Sequence, residues 1–184
     1  MYKLFIVLAV TVLFTLTGFK YKTQNTEWTL VSSSVTFKIK NAGFTVDGKF
    51  GAMSGTILFD PAKTTDNSID VSINAESIST GNGTRDGHLK KKEYFDVATY
   101  PKISMKGTLI AKLTDGTYKG YFKLTLKGKT KDVVMPFTFS ESDGKGTFKG
   151  TLKINRLDYG VGGSSIVMSD DVNLSIVVST VKKQ

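Results

Sequence analysis

Eight stretches of the sequence alternate apolar and polar residues with a period of two, and all eight follow one apolar leader. In one of them Ile69, Val71 and Ile73 are separated by Asp70 and Ser72. Successive side chains of a β-strand point to opposite faces, so each stretch predicts a strand with one buried and one solvated face. The whole pattern predicts an all-β fold, a closed antiparallel barrel that encloses either packed side chains or a small ligand.

The first residues of the chain carry the features of a secretory signal. Lys3 precedes an apolar run at 4–16, which is shorter than the roughly 20 residues of a membrane-spanning helix. We therefore expect a signal peptide at 1–18, a polar spacer at 19–26 and a barrel domain at 27–182 in a periplasmic or secreted protein. An uncleaved anchor stays open, since the small residues after the run form no clean A-x-A cleavage site.

Composition and charge exclude several classes of site. The chain has no cysteine and one histidine, so we expect no disulfide, no metal site and no cofactor. Its formal net charge is +9, yet only Arg85 and Arg156 are arginines. Lysines at outward strand positions, among them Lys38, Lys123, Lys127 and Lys153, indicate a solvated barrel exterior, with transient contact to anionic membrane surfaces as an alternative. Nucleic-acid readers favour arginine, so no nucleic-acid partner is expected.

The alternation stops between residues 79 and 100. The spacing of Leu89 and Phe95 predicts a loop with one short helix, around 85–95, that covers one mouth of the barrel. Asp115-Gly116, Lys127-Gly128 and Asp143-Gly144 are turn signals between strands, and a glycine-rich loop at 160–165 leads to the last strand.

Arg85, Asp86 and His88 form the densest polar cluster of this loop. Two interpretations stay open: an Arg–Asp pair and a histidine hydrogen bond that hold the loop together, or a polar gate that meets a ligand head group. A catalytic role for His88 as an acid or base is a third. No nucleophile elbow, P-loop or dinucleotide motif is present, so no catalytic residue is assigned.

Three glycines fall on the inward face of the predicted barrel. Gly107, Gly120 and Gly150 are each flanked by large apolar residues, and they either serve barrel curvature or leave a channel for an elongated apolar ligand. The other inward positions are uncharged apart from Arg156 and Asp158, which we expect to pair near one strand end. The expected ligand-contacting residues in the lumen are Phe37, Phe59, Ile73, Met105, Phe122, Leu124, Phe137, Leu152, Ile154 and Leu174, and those at the mouth are Arg85 and His88.

The loop motifs resemble those of the YceI-like family of exported barrel proteins. Its R-D-x-H-L, F-F-D-V and Y-P-x-I elements match, in order and spacing, Arg85-Asp86-Gly87-His88-Leu89, Tyr94-Phe95-Asp96-Val97 and Tyr100-Pro101-Lys102-Ile103. The resemblance covers about Trp28 to Val181. The sequence departs from the family at Tyr94, where phenylalanine is usual, and at Lys40, where histidine is frequent.

This resemblance implies an eight-stranded, lipocalin-like antiparallel barrel with a hydrophobic lumen. It also implies binding of a polyisoprenoid lipid, such as a quinone or a polyprenyl phosphate, for sequestration or transport. The residues alone indicate only a barrel with an apolar interior. A barrel enzyme that uses His88 and a ligand-free structural or stress protein stay open as alternatives, and so does the oligomeric state.

Overall fold

The computed structural model describes residues 25–63 and 65–183. The expected signal peptide at 1–18 and most of the expected spacer lie outside these residues. Two residues assigned to the spacer contact the barrel: Asn25 Nδ2 donates to Asn67 Oδ1 at 2.9 Å, and the Thr26 carbonyl accepts from the amide of Phe59. Among the described residues no helix has the length and apolar character needed to cross a membrane.

One antiparallel sheet, closed into a barrel, makes up most of the described chain. Its neighbouring strands follow one another in the chain from β3 to β9, and β1 pairs with β9 to close the barrel. The strand segments are β1 (Glu27–Asn41), β2 (Phe44–Phe50), β3 (Met53–Leu58), β4 (Ser68–Asn74), β5 (Lys102–Lys112), β6 (Tyr118–Leu126), β7 (Lys129–Ser142), β8 (Lys145–Asn155) and β9 (Met168–Lys182).

Segments β2 and β3 are two halves of one bent strand. Both pair with β1 in a single register, in which Val35 faces Phe50 and Trp28 faces Ile57. The bend lies at Gly51, whose amide donates to Ser77 Oγ at 2.8 Å instead of to the sheet. The prediction of an eight-stranded, lipocalin-like antiparallel barrel is therefore confirmed, with a glycine bend in its second strand.

The one α-helix of the described residues is short and begins slightly earlier than predicted. It spans α1 (Gly83–Leu89), because the side chain of Asn82 caps its first turn by accepting from the amide of Arg85 at 3.0 Å. Turns follow the helix as far as residue 99. Two short 3₁₀-helices, Ala75–Ser77 and Arg156–Tyr159, flank this region in the connections of the same barrel end.

The connections sort into two ends of the barrel. We call the end formed by residues 42–43, 75–101, 127–128 and 156–167 the mouth, and the end formed by 59–63, 65–67, 113–117 and 143–144 the closed end. Hydrogen bonds join the mouth connections to one another. The amide of Gly162 donates to the Glu93 carbonyl at 2.9 Å, and that of Ala42 donates to the Val167 carbonyl at 2.8 Å.

Aromatic rings fill the closed end. Phe59 is completely buried there, and its ring centroid lies 4.9–6.1 Å from four other rings. Most of these pairs meet edge to face, the geometry that aromatic quadrupoles favour. Trp28 joins them and donates its indole N–H to the Phe59 carbonyl at 2.8 Å. We call Trp28, Phe59, Tyr118, Phe137, Phe139 and Phe148 the aromatic cluster.

Candidate functional site

An apolar cavity occupies the half of the barrel nearest the mouth. It measures about 140 Å³, and we call it the lumen cavity. Strand side chains of its wall include five of the ten predicted lumen residues: Phe37, Ile73, Leu124, Ile154 and Leu174. The surface of this cavity is almost entirely apolar, so the cavity suits a hydrocarbon group better than solvent.

The other five predicted lumen residues lie elsewhere in the interior. Phe59 and Phe137 belong to the aromatic cluster, and Met105 and Phe137 line a separate void of about 30 Å³. Phe122 and Leu152 are buried and line neither space. Ligand contact by any of the ten stays a prediction, but only the first five face a space that could hold a ligand.

The inward glycines do not open a channel. A Cβ atom on Gly120 would lie 2.2 Å from the ring of Phe122, and one on Gly107 would lie 3.2 Å from backbone atoms of Ile69. At Gly150 the space is taken by Met135, whose sulfur would be 3.0 Å from a Cβ. The channel interpretation is therefore wrong for these positions, because neighbouring side chains and, at Gly107, the adjacent strand fill the volume that the glycines leave.

Loop residues complete the wall of the lumen cavity on the mouth side. Leu89, Tyr94, Phe95 and Val161 reach it from the connections, and Asn41 and Met168 from the strand ends. Leu89 and Phe95 were the two residues whose spacing predicted the helical loop. The contribution of Val161 had no local signal, since it follows a glycine in an irregular segment.

A more polar groove lies against the lumen cavity at the mouth. The groove measures about 360 Å³ and shares Asn41, Arg85, Leu89, Tyr94 and Met168 with the lumen cavity. Its remaining lining residues are Asn82, Thr84 and His88. We call this space the mouth groove. The two spaces together place an apolar compartment next to a compartment with hydrogen-bonding groups.

Arg85 and Asp86 meet on Thr80 rather than on each other. Arg85 Nε donates to Thr80 Oγ1 at 2.8 Å and its Nη2 to the Thr80 carbonyl at 3.1 Å. Asp86 accepts from the Thr80 hydroxyl and amide, and this hydroxyl bond, with help from the Arg85 charge, lowers the pKa of Asp86. The two bonds from Arg85 to Thr80 use two of the five guanidinium N–H groups, so three remain for a ligand.

His88 is exposed at the rim of the mouth groove. The predicted histidine hydrogen bond within the loop is absent, because the imidazole contacts no hydrogen-bonding partner among the described residues. Those residues also hold no cluster of three or more histidine, aspartate or glutamate side chains able to bind a metal ion. His88 therefore stands without a carboxylate that would orient it as a catalytic base.

Arg156 also borders the lumen cavity, but its donors are already engaged. The buried guanidinium donates to the carbonyls of Val161, Gly163 and Ser169 and to Asp170 Oδ1, each at 2.8–2.9 Å. The sequence suggested Asp158 as its partner. The 3₁₀-helix that follows Asn155 instead leaves Asp158 exposed, and Arg156 fixes the 161–170 segment.

Lys127 is a mouth residue that the sequence placed on the solvated exterior. Its Nζ donates to the Gly160 carbonyl at 2.6 Å and to the Glu93 carbonyl at 3.2 Å. Burial lowers the pKa of this amine. Lys127 therefore ties the β6–β7 turn to the two other loops that surround the cavity.

Comparison with known proteins agrees with this architecture. The chain is 32% identical over 158 residues to a UPF0312 protein of Pseudomonas syringae pv. tomato, covering 82% of this chain and 81% of the relative. Among solved structures, BcnA of Burkholderia cenocepacia has a TM-score of 0.76 at 28% identity, covering 80% of this chain and 95% of BcnA. A polyisoprenoid binding domain from Saccharophagus degradans shares the fold, with a TM-score of 0.65 at 17% identity over 87% of this chain and 99% of the domain.

The sequence model of the YceI-like domain matches residues 28–180. This range runs from the first residues of β1 almost to the end of β9, and it includes both the lumen cavity and the loop that carries Arg85 and His88. The chain therefore belongs to the YceI-like domain family.

Proposed function

We propose that this chain is an exported lipid-binding protein that holds an isoprenoid-type hydrophobic chain in its lumen cavity, for sequestration or transport. The observation that carries the proposal is an apolar cavity of about 140 Å³ that adjoins the mouth groove. Burial of hydrocarbon stabilises such a complex by roughly 25 cal/mol per Å² of apolar surface, without any hydrogen bond. Export follows from the signal-like first 18 residues.

Arg85 is the strongest candidate for contact with the lipid head group. It borders both spaces and keeps three N–H donors, whereas Arg156 donates four bonds to its own loop. A phosphate or a quinone carbonyl could accept from these donors. His88 lies at the rim of the same groove and supplies a second, more exposed contact. The proposed role is binding, with no catalytic residue.

Membrane-surface contact is proposed to occur at the mouth. Phe44 is 76% exposed, Val167 is 54% exposed and Ile166 is fully exposed. The Ala42–Val167 hydrogen bond brings their two loops together beside Asn41 and Met168, which line both spaces. Exposed apolar residues at the opening, on a chain with net charge +9, suit the surface of an anionic bilayer.

The binding proposal is tested by filling the lumen cavity. Leu174→Trp places an indole in the cavity, and Ser175→Trp places the same side chain on the exposed face of the same strand. We expect native mass spectrometry to show a 15-carbon prenol bound to the wild type and to Ser175→Trp, and loss of at least tenfold in occupancy for Leu174→Trp. Equal occupancy in both variants, or no prenol bound to the wild type, would contradict the proposal.

Membrane contact is tested with vesicles of phosphatidylcholine and phosphatidylglycerol. A Phe44→Ser/Ile166→Ser protein should cosediment with them at least several-fold less than wild type, since it loses the apolar groups of the mouth. The control is Leu109→Ser/Val134→Ser, which removes two other exposed apolar residues from the side of the barrel. Equal losses in both proteins would show that the mouth has no special affinity for lipid.

A further inference from the structure

The lumen cavity ends abruptly inside the barrel. Along β6, Leu124 lines the cavity and the next inward residue, Phe122, does not. The same change occurs from Phe37 to Val35 on β1 and from Ile154 to Leu152 on β8. We call Val35, Phe122 and Leu152 the stop layer; all three are buried and border neither cavity.

The stop layer separates the lumen cavity from the void of about 30 Å³ beyond it. On β9, Leu174 faces the first space and Ile176 the second, and on β4 Ile73 and Val71 divide in the same way. The two spaces share no lining residue. Beyond the second lies the aromatic cluster, so a ligand that enters from the mouth meets protein about halfway through the barrel.

Phe122 is the residue that closes the layer most firmly. It is 1% exposed, and its ring occupies the space beside both Gly107 and Gly120. A side chain at Gly120 would push the ring aside, whereas one at Gly107 would only touch it. Gly120 therefore makes room for Phe122 and fixes the position at which the cavity ends.

The size of the lumen cavity limits how much hydrocarbon it can hold. An apolar cavity of about 150 Å³ accommodates one benzene molecule, six carbon atoms. At about 140 Å³ the lumen cavity is similar, and the mouth groove adds room for a few further carbons beside the head group. Two to three five-carbon units fill both spaces.

We propose that this barrel takes up no more than about 10 to 15 carbons of an isoprenoid chain, because the stop layer blocks deeper entry. The inference rests on the proposed function, and it goes further by assigning a chain length and the residues that set it. Carbons beyond this length stay outside the lumen and add little to affinity. The expected ligand is a short prenyl lipid or the terminal units of a longer one.

A series of prenols with 10, 15, 20 and 45 carbons tests the limit. Each prenol competes with the fluorescent apolar probe N-phenyl-1-naphthylamine for the purified protein. Every buried methylene strengthens binding about fourfold, so an unobstructed lumen would gain several-hundredfold between 15 and 20 carbons. For the wild type we expect a gain of less than threefold over that step and none from 20 to 45 carbons.

Substitutions in and beyond the stop layer test whether this layer sets the length limit. Phe122→Ala joins the lumen cavity to the space beyond it and should restore at least a tenfold gain between 15 and 20 carbons. Phe148→Ala removes a ring on the far side of the stop layer and should leave the wild-type preference unchanged. Leu152→Ala provides a second way to open the layer if Phe122→Ala does not fold.

The outcomes separate the two proposals. Failure of every prenol to compete, in wild type and variants alike, would overturn the proposed function. Affinity that rises several-hundredfold from 15 to 20 carbons in the wild type would overturn the length limit and leave lipid binding intact. A wild-type plateau that neither Phe122→Ala nor Leu152→Ala shifts would overturn the assignment of the limit to the stop layer.

Discussion

The two halves of the barrel interior are built from similarly apolar residues and differ in how completely they are filled. In the closed half, Phe59 meets four aromatic rings and Trp28 reaches a backbone carbonyl. In the mouth half, mainly aliphatic side chains such as Ile73 and Leu174 surround an open space. Large flat rings that meet edge to face can close a barrel end, whereas the smaller aliphatic side chains of the mouth half leave a space between them.

Hydrophobic alternation therefore specifies which face of a strand is buried, but it does not specify whether the buried face is closely packed. Gly120 illustrates the point. It looks like missing volume in the sequence, but Phe122, two residues further along the same face, fills that volume. Whether the interior is filled or hollow depends on which side chains pack against the inward glycines.

The largest expected effect is in the closed half. Phe59→Ala removes a completely buried ring from the centre of the aromatic cluster, and it should lower the free energy of unfolding by about 3–5 kcal/mol. Urea denaturation followed by circular dichroism measures this. A loss below about 1 kcal/mol would mean that the closed half is no better packed than the mouth half.

A matched leucine pair compares a packed position with a cavity wall. Leu152 and Leu174 face each other across β8 and β9, but only Leu174 lines the lumen cavity. We expect Leu152→Ala to cost about 3 kcal/mol and Leu174→Ala about 2 kcal/mol or less, since fewer contacts are lost beside an existing void. The same denaturation assay checks this, and equal losses would argue that the cavity is filled in solution.

Overpacking should be costly where a glycine has a ring beside it. Gly120→Ala would place Cβ 2.2 Å from the Phe122 ring, and we expect a loss of about 1–3 kcal/mol in the free energy of unfolding. The control is Gly83→Ala, at the first residue of α1, where a Cβ meets no atom within 4 Å. If Gly120→Ala left the free energy of unfolding unchanged, Phe122 would move easily and the stop layer would be loosely packed.

The smallest expected effects come from one carboxylate at each end of the barrel. Threonine hydroxyls lower the pKa of Asp86 at the mouth and of Asp115 at the closed end below the ordinary value of 3.8. Because the folded pKa lies below the unfolded one, each ionised carboxylate stabilises the fold above about pH 4. That stabilisation is lost as the pH falls through the folded value.

Carboxyl titration by NMR should show both midpoints below 3.8. Only Asp86 shares Thr80 with Arg85 at the mouth groove. We therefore expect Asp86→Asn to weaken retention of a 15-carbon prenol by about twofold to threefold and Asp115→Asn to leave it unchanged. Equal retention in both variants would remove the link between this carboxylate and the mouth.

Much of the fold could be predicted from the sequence, since alternation such as that of Ile69, Val71 and Ile73 reports strand faces directly. The depth of each inward residue along the barrel axis could not. Leu124 and Phe122 are two residues apart on one face, yet one lines the cavity and the other closes it. Depth depends on strand tilt and register, which are properties of the closed sheet rather than of any one strand.

The candidate site shows the same division. The sequence singles out the polar residues of the loop as candidates, but it does not identify their hydrogen-bond partners. Arg85 and Asp86 converge on Thr80, and Arg156 pairs with Asp170 instead of Asp158. A side chain that bridges two connections finds its partner only after the barrel brings those connections together, so local sequence carries no signal for it.

Closure of the barrel through β1 and β9 has a consequence for how the chain reaches its native state. Trp28, in the first strand of the domain, pairs with Lys182 in the last, and β1 also pairs with both β2 and β3. The first strand therefore keeps an unsatisfied edge until the last strand of the domain is in place. Contacts between positions so far apart in the sequence make folding slow. Every partly synthesised or truncated chain exposes an unpaired strand edge, which favours aggregation.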